Sequence, residues 1–319
     1  MPRREALPPG PAIDKPRPAC FISGVGYDLV VLGHVTRDLI AGKAEAGRDG
    51  DPAASASRWG GAAGFAARAG ARLGLRTALL TAARPDDPTL ADLAHWPNLD
   101  VEVVPSQKMT TFELDYRGPR RRVFLRARAP ALTAQDVPAS FRQARVVYLG
   151  PVAAEVRPGL GRALWPQAFV AAGLQGWLRR FAPDGLAEPA PRGDWEAELG
   201  GLDLGILSEE DHPLGADIGR DLERRGVAVA LTAGARGADL WIAGQQVTVP
   251  AAPAAEVDPT GAGDVFGVVL ACGLAAGEPA AQAAGRAAWA AARVVEGPGL
   301  GTLPEVAWKD CPTDAMLAR

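Results

Sequence analysis

The chain has 319 residues, 48% of them hydrophobic and 22% charged, and its formal net charge is −3. This length and apolar fraction suit one large α/β domain or two small ones and exclude a largely disordered chain. The formal net charge therefore gives no indication of a nucleic-acid partner. No apolar run approaches the roughly 20 residues that span a bilayer, and no signal peptide is apparent. We therefore expect a cytoplasmic protein with no nucleic-acid or membrane partner.

Proline and scattered charge dominate residues 1–20, so we predict a disordered N-terminal arm there and a single domain over residues 21–319. The three cysteines are widely separated, and none belongs to a C-x-x-C pair. They predict neither a disulfide framework nor a zinc site, and they suit a reducing compartment. The cysteines are Cys20, Cys272 and Cys311.

The first predicted strand is the apolar run from Asp28 to Gly33, which suits a strand buried on both faces of a parallel sheet. Gly24 and Gly26 precede this strand, whereas a dinucleotide fingerprint needs its glycines after it, so a dinucleotide-dependent oxidoreductase is disfavoured. Asp38 follows the strand at the edge where α/β proteins build binding sites. It could accept hydrogen bonds from sugar hydroxyls, although a lone Asp there is more often a turn former.

A glycine pair, Gly60 and Gly61, precedes an Ala-rich stretch that is predicted to form a helix ending at Gly74. Adjacent glycines let a substrate lie against the backbone. Phe65 offers an apolar ring that suits the C–H face of a cyclic polyol or a nucleobase. Gly60, Gly61 and Phe65 are therefore candidate substrate contacts.

Between Asp100 and Ala129 apolar and polar residues alternate around a Gly118-Pro119 turn, which predicts a hairpin with one solvated face. Arginines cluster on this hairpin. They form either a solvated face that keeps an edge strand soluble or a phosphate-binding cluster. The arginines are Arg117, Arg120, Arg121, Arg122, Arg126 and Arg128.

Two further segments place polar residues after predicted strands. Gln175 and Arg179 follow the strand at 168–172, and they are either pocket residues or a helix cap and a surface charge. Asp211 follows the apolar run at 202–207, where an ordinary acidic helix start is the alternative to a metal contact.

Residues 258–264 read Asp-Pro-Thr-Gly-Ala-Gly-Asp and lead into an apolar run typical of a buried helix. The proline and glycines predict a sharp loop that feeds a helix N-terminus. Free N–H groups and the helix dipole could hold an anion at Gly261, Ala262 and Gly263. Asp264, in the first turn, could accept a proton from an attacking hydroxyl, or it could merely cap the helix.

This seven-residue segment resembles the signature of the ribokinase-like (PfkB) carbohydrate kinases. The resemblance implies that Asp264 is the catalytic base and that the amides of Gly261, Ala262 and Gly263 form the anion hole. It also implies a three-layer α/β fold with a mostly parallel central sheet, helices on both faces, and a small β-lid. The lid strands are expected from about residues 34–60 and 100–129.

The resemblance further implies ATP and Mg²⁺ as cofactors. Many members carry N-x-x-E where this chain has Ser208 and Asp211, so Asp211 is expected to contact magnesium through water. Some relatives bind a monovalent cation near the residue that matches Asp258. A T-x-G-x-x-G stretch resembles the nucleotide loop of the family. The cofactor-binding candidates are Thr232, Gly234, Gly237, Asp258 and Thr260.

At the acceptor end, the resemblance implies that Asp38 binds the substrate diol. Phe65 stands where the family usually has Asn, and the inositol-kinase branch has a similar G-G-A-A-S-F stretch. A cyclitol is therefore the expected acceptor, ahead of ribose or fructose 6-phosphate.

The function implied is ATP-dependent phosphorylation of a small polyhydroxylated substrate, namely a cyclitol, sugar or nucleoside, by a monomer or homodimer. The alternative is a non-catalytic descendant that binds a polyol or nucleotide, motivated by the departures at Phe65 and Asp211. No Walker lysine motif is present, which argues against a P-loop kinase.

Overall fold

The computed structural model describes residues 26–41, 57–118, 121–191, 193 and 198–313. The predicted arm and Cys20 lie outside these residues. Three sheets and six helices with complete bounds lie within these residues. The strands are β1 (Tyr27–Leu32), β2 (Thr36–Ala41), β3 (Ser57–Gly60), β4 (Thr77–Ala83), β5 (Leu99–Pro105), β6 (Thr111–Asp115), β7 (Arg122–Ala127), β8 (Ala144–Leu149), β9 (Phe169–Gly173), β10 (Arg179–Phe181), β11 (Ala187–Pro189), β12 (Leu204–Ser208), β13 (Ala228–Thr232), β14 (Ala238–Ile242) and β15 (Gln245–Val249). The helices are α1 (Ala62–Arg72), α2 (Pro88–Ala94), α3 (Leu160–Leu164), α4 (Gly215–Arg224), α5 (Ala262–Ala275) and α6 (Ala280–Val295).

The central sheet has nine strands in the order β15-β14-β13-β12-β9-β8-β1-β4-β5. Its strands from β13 to β5 are all parallel, and β14 and β15 add an antiparallel edge. One face packs against α1, α5 and α6, and the other packs against α4. Burial on both faces explains why the central strands read as continuous apolar runs. The predicted α/β fold is confirmed.

A separate four-stranded sheet, β3-β2-β6-β7, forms the lid. Its strand β2 follows β1 directly, so the lid grows from the carboxyl end of the central sheet. The alternating segment near residue 100 was expected to belong to the lid, but it forms β5, which pairs with β4 at the edge of the central sheet. Alternation of apolar and polar residues indicates a strand with one solvated face. Both an edge strand of the central sheet and a lid strand can show this pattern.

A small hairpin, β10-β11, which the sequence analysis did not predict, packs against the lid. The Leu125 N–H donates to the Gly185 carbonyl at 2.8 Å, and the rings of Phe112 and Phe181 lie 6.0 Å apart. Because β10 begins at Arg179, this hairpin brings that residue toward the lid.

His34 lies between β1 and β2, and its hydrogen bonds hold the connection between the central sheet and the lid in place. Its Nε2 lies 2.9 Å from the Pro130 carbonyl, and the Thr110 hydroxyl lies 2.7 Å from its Nδ1. A carbonyl only accepts, so Nε2 carries the proton and Nδ1 accepts from the hydroxyl. Burial lowers the pKa of His34, against the opposing charge of Glu155, so the ring stays neutral at this junction.

Candidate active site

The signature loop ends in the left-handed conformation at Gly261, whose φ is 83°, and α5 begins at the next residue. The Val265 N–H donates to the Gly261 carbonyl at 3.0 Å, which closes the first turn. No atom lies within 4 Å of the position that a Cβ would take at Gly263. The first turn of a 14-residue helix therefore opens onto free space, which is the arrangement that favours an anion.

Asp264 lies half-buried in this first turn. Desolvation raises its pKa to about 7, with a further contribution from the negative charge of Asp211, while the Arg179 guanidinium opposes the rise. A carboxyl with a pKa near 7 can take up and release a proton at neutral pH. The residue is therefore placed and tuned for general-base chemistry.

Arg179 lies between the elements that carry the acidic residues. Desolvation lowers the pKa of its guanidinium, and the charges of Asp211 and Asp264 oppose that effect. Among the described residues, no side chain forms a hydrogen bond or an ion pair with this guanidinium. A half-buried arginine with unused donors can bind the oxygens of a phosphoryl group.

Asp211 is held in place by two donors. Gln175 Nε2 donates to its Oδ1 at 2.9 Å, and the Ser208 N–H donates to its Oδ2 at 2.8 Å. The structure thus gives Gln175, a predicted substrate contact, a role in orienting Asp211. No group of three or more potential metal ligands exists within the described residues. The site fits a magnesium ion that is held mainly by donor phosphates and water, with Asp211 near it.

Asp38 faces the same region from lid strand β2. Desolvation raises its pKa to about 6, while the Thr36 hydroxyl, which donates to Asp38 Oδ1 at 2.9 Å, and the charges of Arg121 and Arg179 oppose the rise. Arg179 therefore acts electrostatically on both Asp38 and Asp264. A Cβ at Gly60 would lie 2.4 Å from Asp38 Oδ2, so only glycine leaves room for this carboxyl.

Phe65, the predicted ring for the substrate, is only 3% exposed. Its ring carbon Cδ1 lies 2.1 Å from the position that a Cβ would take at Gly261, and its ring stacks on Trp59 with centroids 4.8 Å apart. The structure therefore favours a packing role for Phe65, whose ring supports the signature loop at Gly261. Gly61 also has a structural role, because its φ is 94° and a Cβ there would lie 2.3 Å from the His34 carbonyl oxygen.

The residues predicted to bind the phosphoryl donor differ in their surroundings. Gly234 has a φ of 57° and no atom within 4 Å of its Cβ position, so it borders open space. Gly237 has a φ of 96°, and a Cβ there would lie 2.1 Å from the Val249 carbonyl, so it fixes the turn before β14. The Thr232 hydroxyl donates to the Leu207 carbonyl at 3.4 Å, which ties the ends of β12 and β13 together.

Residues 198–306, which include the signature loop and α5, match the model of the pfkB family carbohydrate kinases. This segment of the chain is therefore similar to the pfkB family carbohydrate kinases. A comparison with curated protein sequences found no match. Within the described ranges, every helix of this protein is too short or too polar to cross a lipid bilayer.

Solved structures of ribokinase-family proteins share the fold. A pyrophosphate-dependent kinase complexed with a pyrophosphate analogue and myo-inositol has a TM-score of 0.72 and 20% identity, over 87% of this chain and 97% of that one. The Arabidopsis thaliana ribokinase complexed with ribose and ATP has a TM-score of 0.64 and 19% identity, over 88% and 96%. The nucleoside kinase of Methanocaldococcus jannaschii has a TM-score of 0.67 and 17% identity, over 90% and 97%.

No sequence pattern singled out Tyr148. Its side chain is fully buried beneath α5, and its hydroxyl has no hydrogen-bond partner among the described residues. A Cβ at Gly267 would lie 2.8 Å from this hydroxyl, so the glycine one turn after Asp264 makes room for it. Burial raises the pKa of Tyr148 well above its usual range, and the charges of Asp264 and Asp211 raise it further. The hydroxyl thus stays protonated near both carboxylates.

Proposed function

We propose that this protein is a pfkB-family kinase that transfers the γ-phosphoryl group of ATP to a hydroxyl of a small cyclic polyol. One observation carries the proposal. The lid carboxylate of Asp38 and the carboxylate of Asp264, which lies in the open first turn of α5, are both within the electrostatic reach of the Arg179 guanidinium. An acceptor site, a proton acceptor and a phosphoryl site therefore converge.

In the proposed mechanism, Asp38 accepts hydrogen bonds from acceptor hydroxyls and orients one of them toward Asp264. Asp264 accepts the proton of that hydroxyl as its oxygen bonds to the γ-phosphorus of ATP, while the bond from this phosphorus to the bridging β-phosphate oxygen breaks and ADP leaves. The amides of Gly261–Gly263 and the guanidinium of Arg179 stabilise the negative charge on the transferred group. Magnesium, when bound, would neutralise charge on the donor phosphates.

A cyclitol is the proposed acceptor class. The stretch from Gly60 to Phe65 resembles the inositol-kinase branch, and one of the similar folds was solved with myo-inositol. That same protein is pyrophosphate-dependent, which makes pyrophosphate the second candidate donor. Gly234, which borders open space where a nucleotide loop is expected, supports ATP as the first candidate.

A matrix of acceptors and donors tests the proposal. We would measure kcat/KM for myo-inositol, ribose, adenosine and fructose 6-phosphate, each with ATP and with pyrophosphate. The highest value is expected for myo-inositol with ATP. If fructose 6-phosphate led, the lid arginines would determine specificity. Binding without turnover in every combination would support the alternative of a non-catalytic polyol- or nucleotide-binding descendant.

Asp38→Asn is expected to raise KM for the acceptor about 5- to 150-fold, because a lost hydrogen bond to a charged group is worth about 1–3 kcal/mol. The asparagine keeps the shape next to Gly60, so folding should be preserved. The KM for ATP should change by less than about twofold, since Asp38 is assigned only to the acceptor. Equal rises in both KM values would contradict that assignment.

A further inference from the structure

Two consecutive side chains of lid strand β3 reach the signature loop. Arg58 Nη1 donates to Asp258 Oδ2 at 3.2 Å. The other oxygen of Asp258, Oδ1, accepts from the Thr260 N–H at 3.0 Å and from the Thr260 hydroxyl at 2.6 Å. One carboxylate therefore joins the lid strand to the turn that starts the loop.

The next residue, Trp59, reaches the loop through Phe65. The Trp59 and Phe65 rings are inclined by 35° with centroids 4.8 Å apart, and the Phe65 ring lies directly under Gly261. The Arg68 guanidinium lies 4.2 Å from the centroid of the Trp59 ring. Close-packed rings of this kind transmit a displacement, because no void is available to absorb it.

Strand β3 also borders the proposed acceptor residue Asp38 on the neighbouring strand β2. In the antiparallel register of β2 and β3, Asp38 lies opposite Arg58, and Thr36 lies opposite Gly60. The Gly60 backbone is in contact with the Asp38 carboxyl. Strand β3 is therefore in direct contact with the proposed acceptor carboxylate and, through Arg58 and Trp59, with the anion-hole loop.

We propose that Arg58 and Trp59 are positioning residues that couple acceptor binding at Asp38 to the geometry of the Gly261–Gly263 anion hole. The inference rests on the proposed function of this site. Acceptor binding fixes β3 through Asp38, and β3 then holds Asp258 and the Phe65 ring so that the loop amides face the donor phosphate. Because such coupling is reciprocal, a bound donor must strengthen acceptor binding by the same factor.

Calorimetric titration measures this factor. The affinity of the non-transferable ATP analogue AMP-PNP, with magnesium, is determined with and without saturating myo-inositol. We expect wild type to bind the analogue at least about fivefold more tightly when myo-inositol is present. In Arg58→Ala and in Trp59→Leu this ratio should fall to near one, with the affinity in the absence of myo-inositol changed by less than about twofold. Arg58→Lys and Trp59→Phe, which keep the charge and the ring, should restore most of the ratio.

Arg220→Ala is the matched control, because Arg220 also forms an exposed ion pair, with Asp217 on α4, away from the loop. It should keep the wild-type ratio. Thermal unfolding of each variant separates lost coupling from lost folding. A wild-type ratio that persists in both Arg58→Ala and Trp59→Leu would overturn the inference and leave the proposed function intact. A wild type that phosphorylates no acceptor would remove the proposed function and, with it, the inference.

Discussion

Asp264→Asn is expected to lower kcat by about 10²- to 10⁴-fold, the usual contribution of a general base. The amide keeps the shape of the carboxyl but cannot accept the proton from the attacking hydroxyl. AMP-PNP affinity should stay within about threefold of wild type, because the proposed phosphoryl site consists of backbone amides and Arg179. A variant with kcat within tenfold of wild type would refute the role of Asp264 as base.

The pH dependence offers a second test of the same residue. Since the base must be ionised and its pKa is about 7, kcat/KM should rise with pH through about 7. Arg179 lowers this pKa and Asp211 raises it, so Arg179→Met should move the acidic limb to higher pH and Asp211→Asn should move it to lower pH. Shifts in the same direction would contradict the electrostatic arrangement.

Asp264→Asn should raise the thermal stability of the protein although it lowers its activity. The folded pKa of about 7 exceeds the unfolded value of 3.8, so ionisation of Asp264 costs stability progressively as pH rises from 3.8 through 7. The asparagine variant should therefore unfold at a higher temperature than wild type at pH 8 and at nearly the same temperature below pH 4. Differential scanning calorimetry at the two pH values measures this difference.

Gly261→Ala is expected to destabilise the fold by about 2–5 kcal/mol and to abolish transfer. Its φ of 83° is unfavourable for alanine, and the new methyl group would lie 2.1 Å from a ring carbon of Phe65. Relief of either strain displaces the loop whose amides form the anion hole. Urea unfolding gives the loss of stability, and the steady-state rate gives the loss of activity.

Gly263→Ala is the matched control in the same loop. No atom lies within 4 Å of its Cβ position, so stability should be unchanged or slightly increased. Activity should still fall, because the methyl group enters the space proposed for the phosphoryl group. Phe65→Leu should recover part of the stability lost in Gly261→Ala, since the stability effects of substitutions at two residues in contact are not additive. Equal destabilisation by both glycine substitutions would contradict this account.

The sequence predicted the parallel sheet, α5 and the signature loop because these features are local. Seven consecutive residues define the loop, and a continuous apolar run defines each central strand. The edge strand β5 was assigned to the lid because alternation reports one solvated face and not the sheet to which that face belongs. The β10-β11 hairpin was missed because its strands have only three residues each.

The contacts that complete the site could not be predicted in the same way. Arg58 and Asp258 are 200 positions apart in the chain, and nothing in either local pattern indicates the pairing. Phe65 was predicted to contact the substrate because it is aromatic. Its ring is instead covered by Gly261, which belongs to a distant segment of the chain. Side-chain neighbours of this kind follow from the topology of the whole fold.

Helix α5 has consequences for how enzymes of this architecture diversify. Ten consecutive residues, Val265–Leu274, are buried, and the helix contacts α1, α6 and three strands of the central sheet. A helix enclosed on every side offers no surface on which substitutions can accumulate without cost. Substitutions on α5 are therefore expected to be costly, and the proposed transfer site at its start should change little. New acceptors are expected to arise by replacement of lid residues around an unaltered catalytic helix.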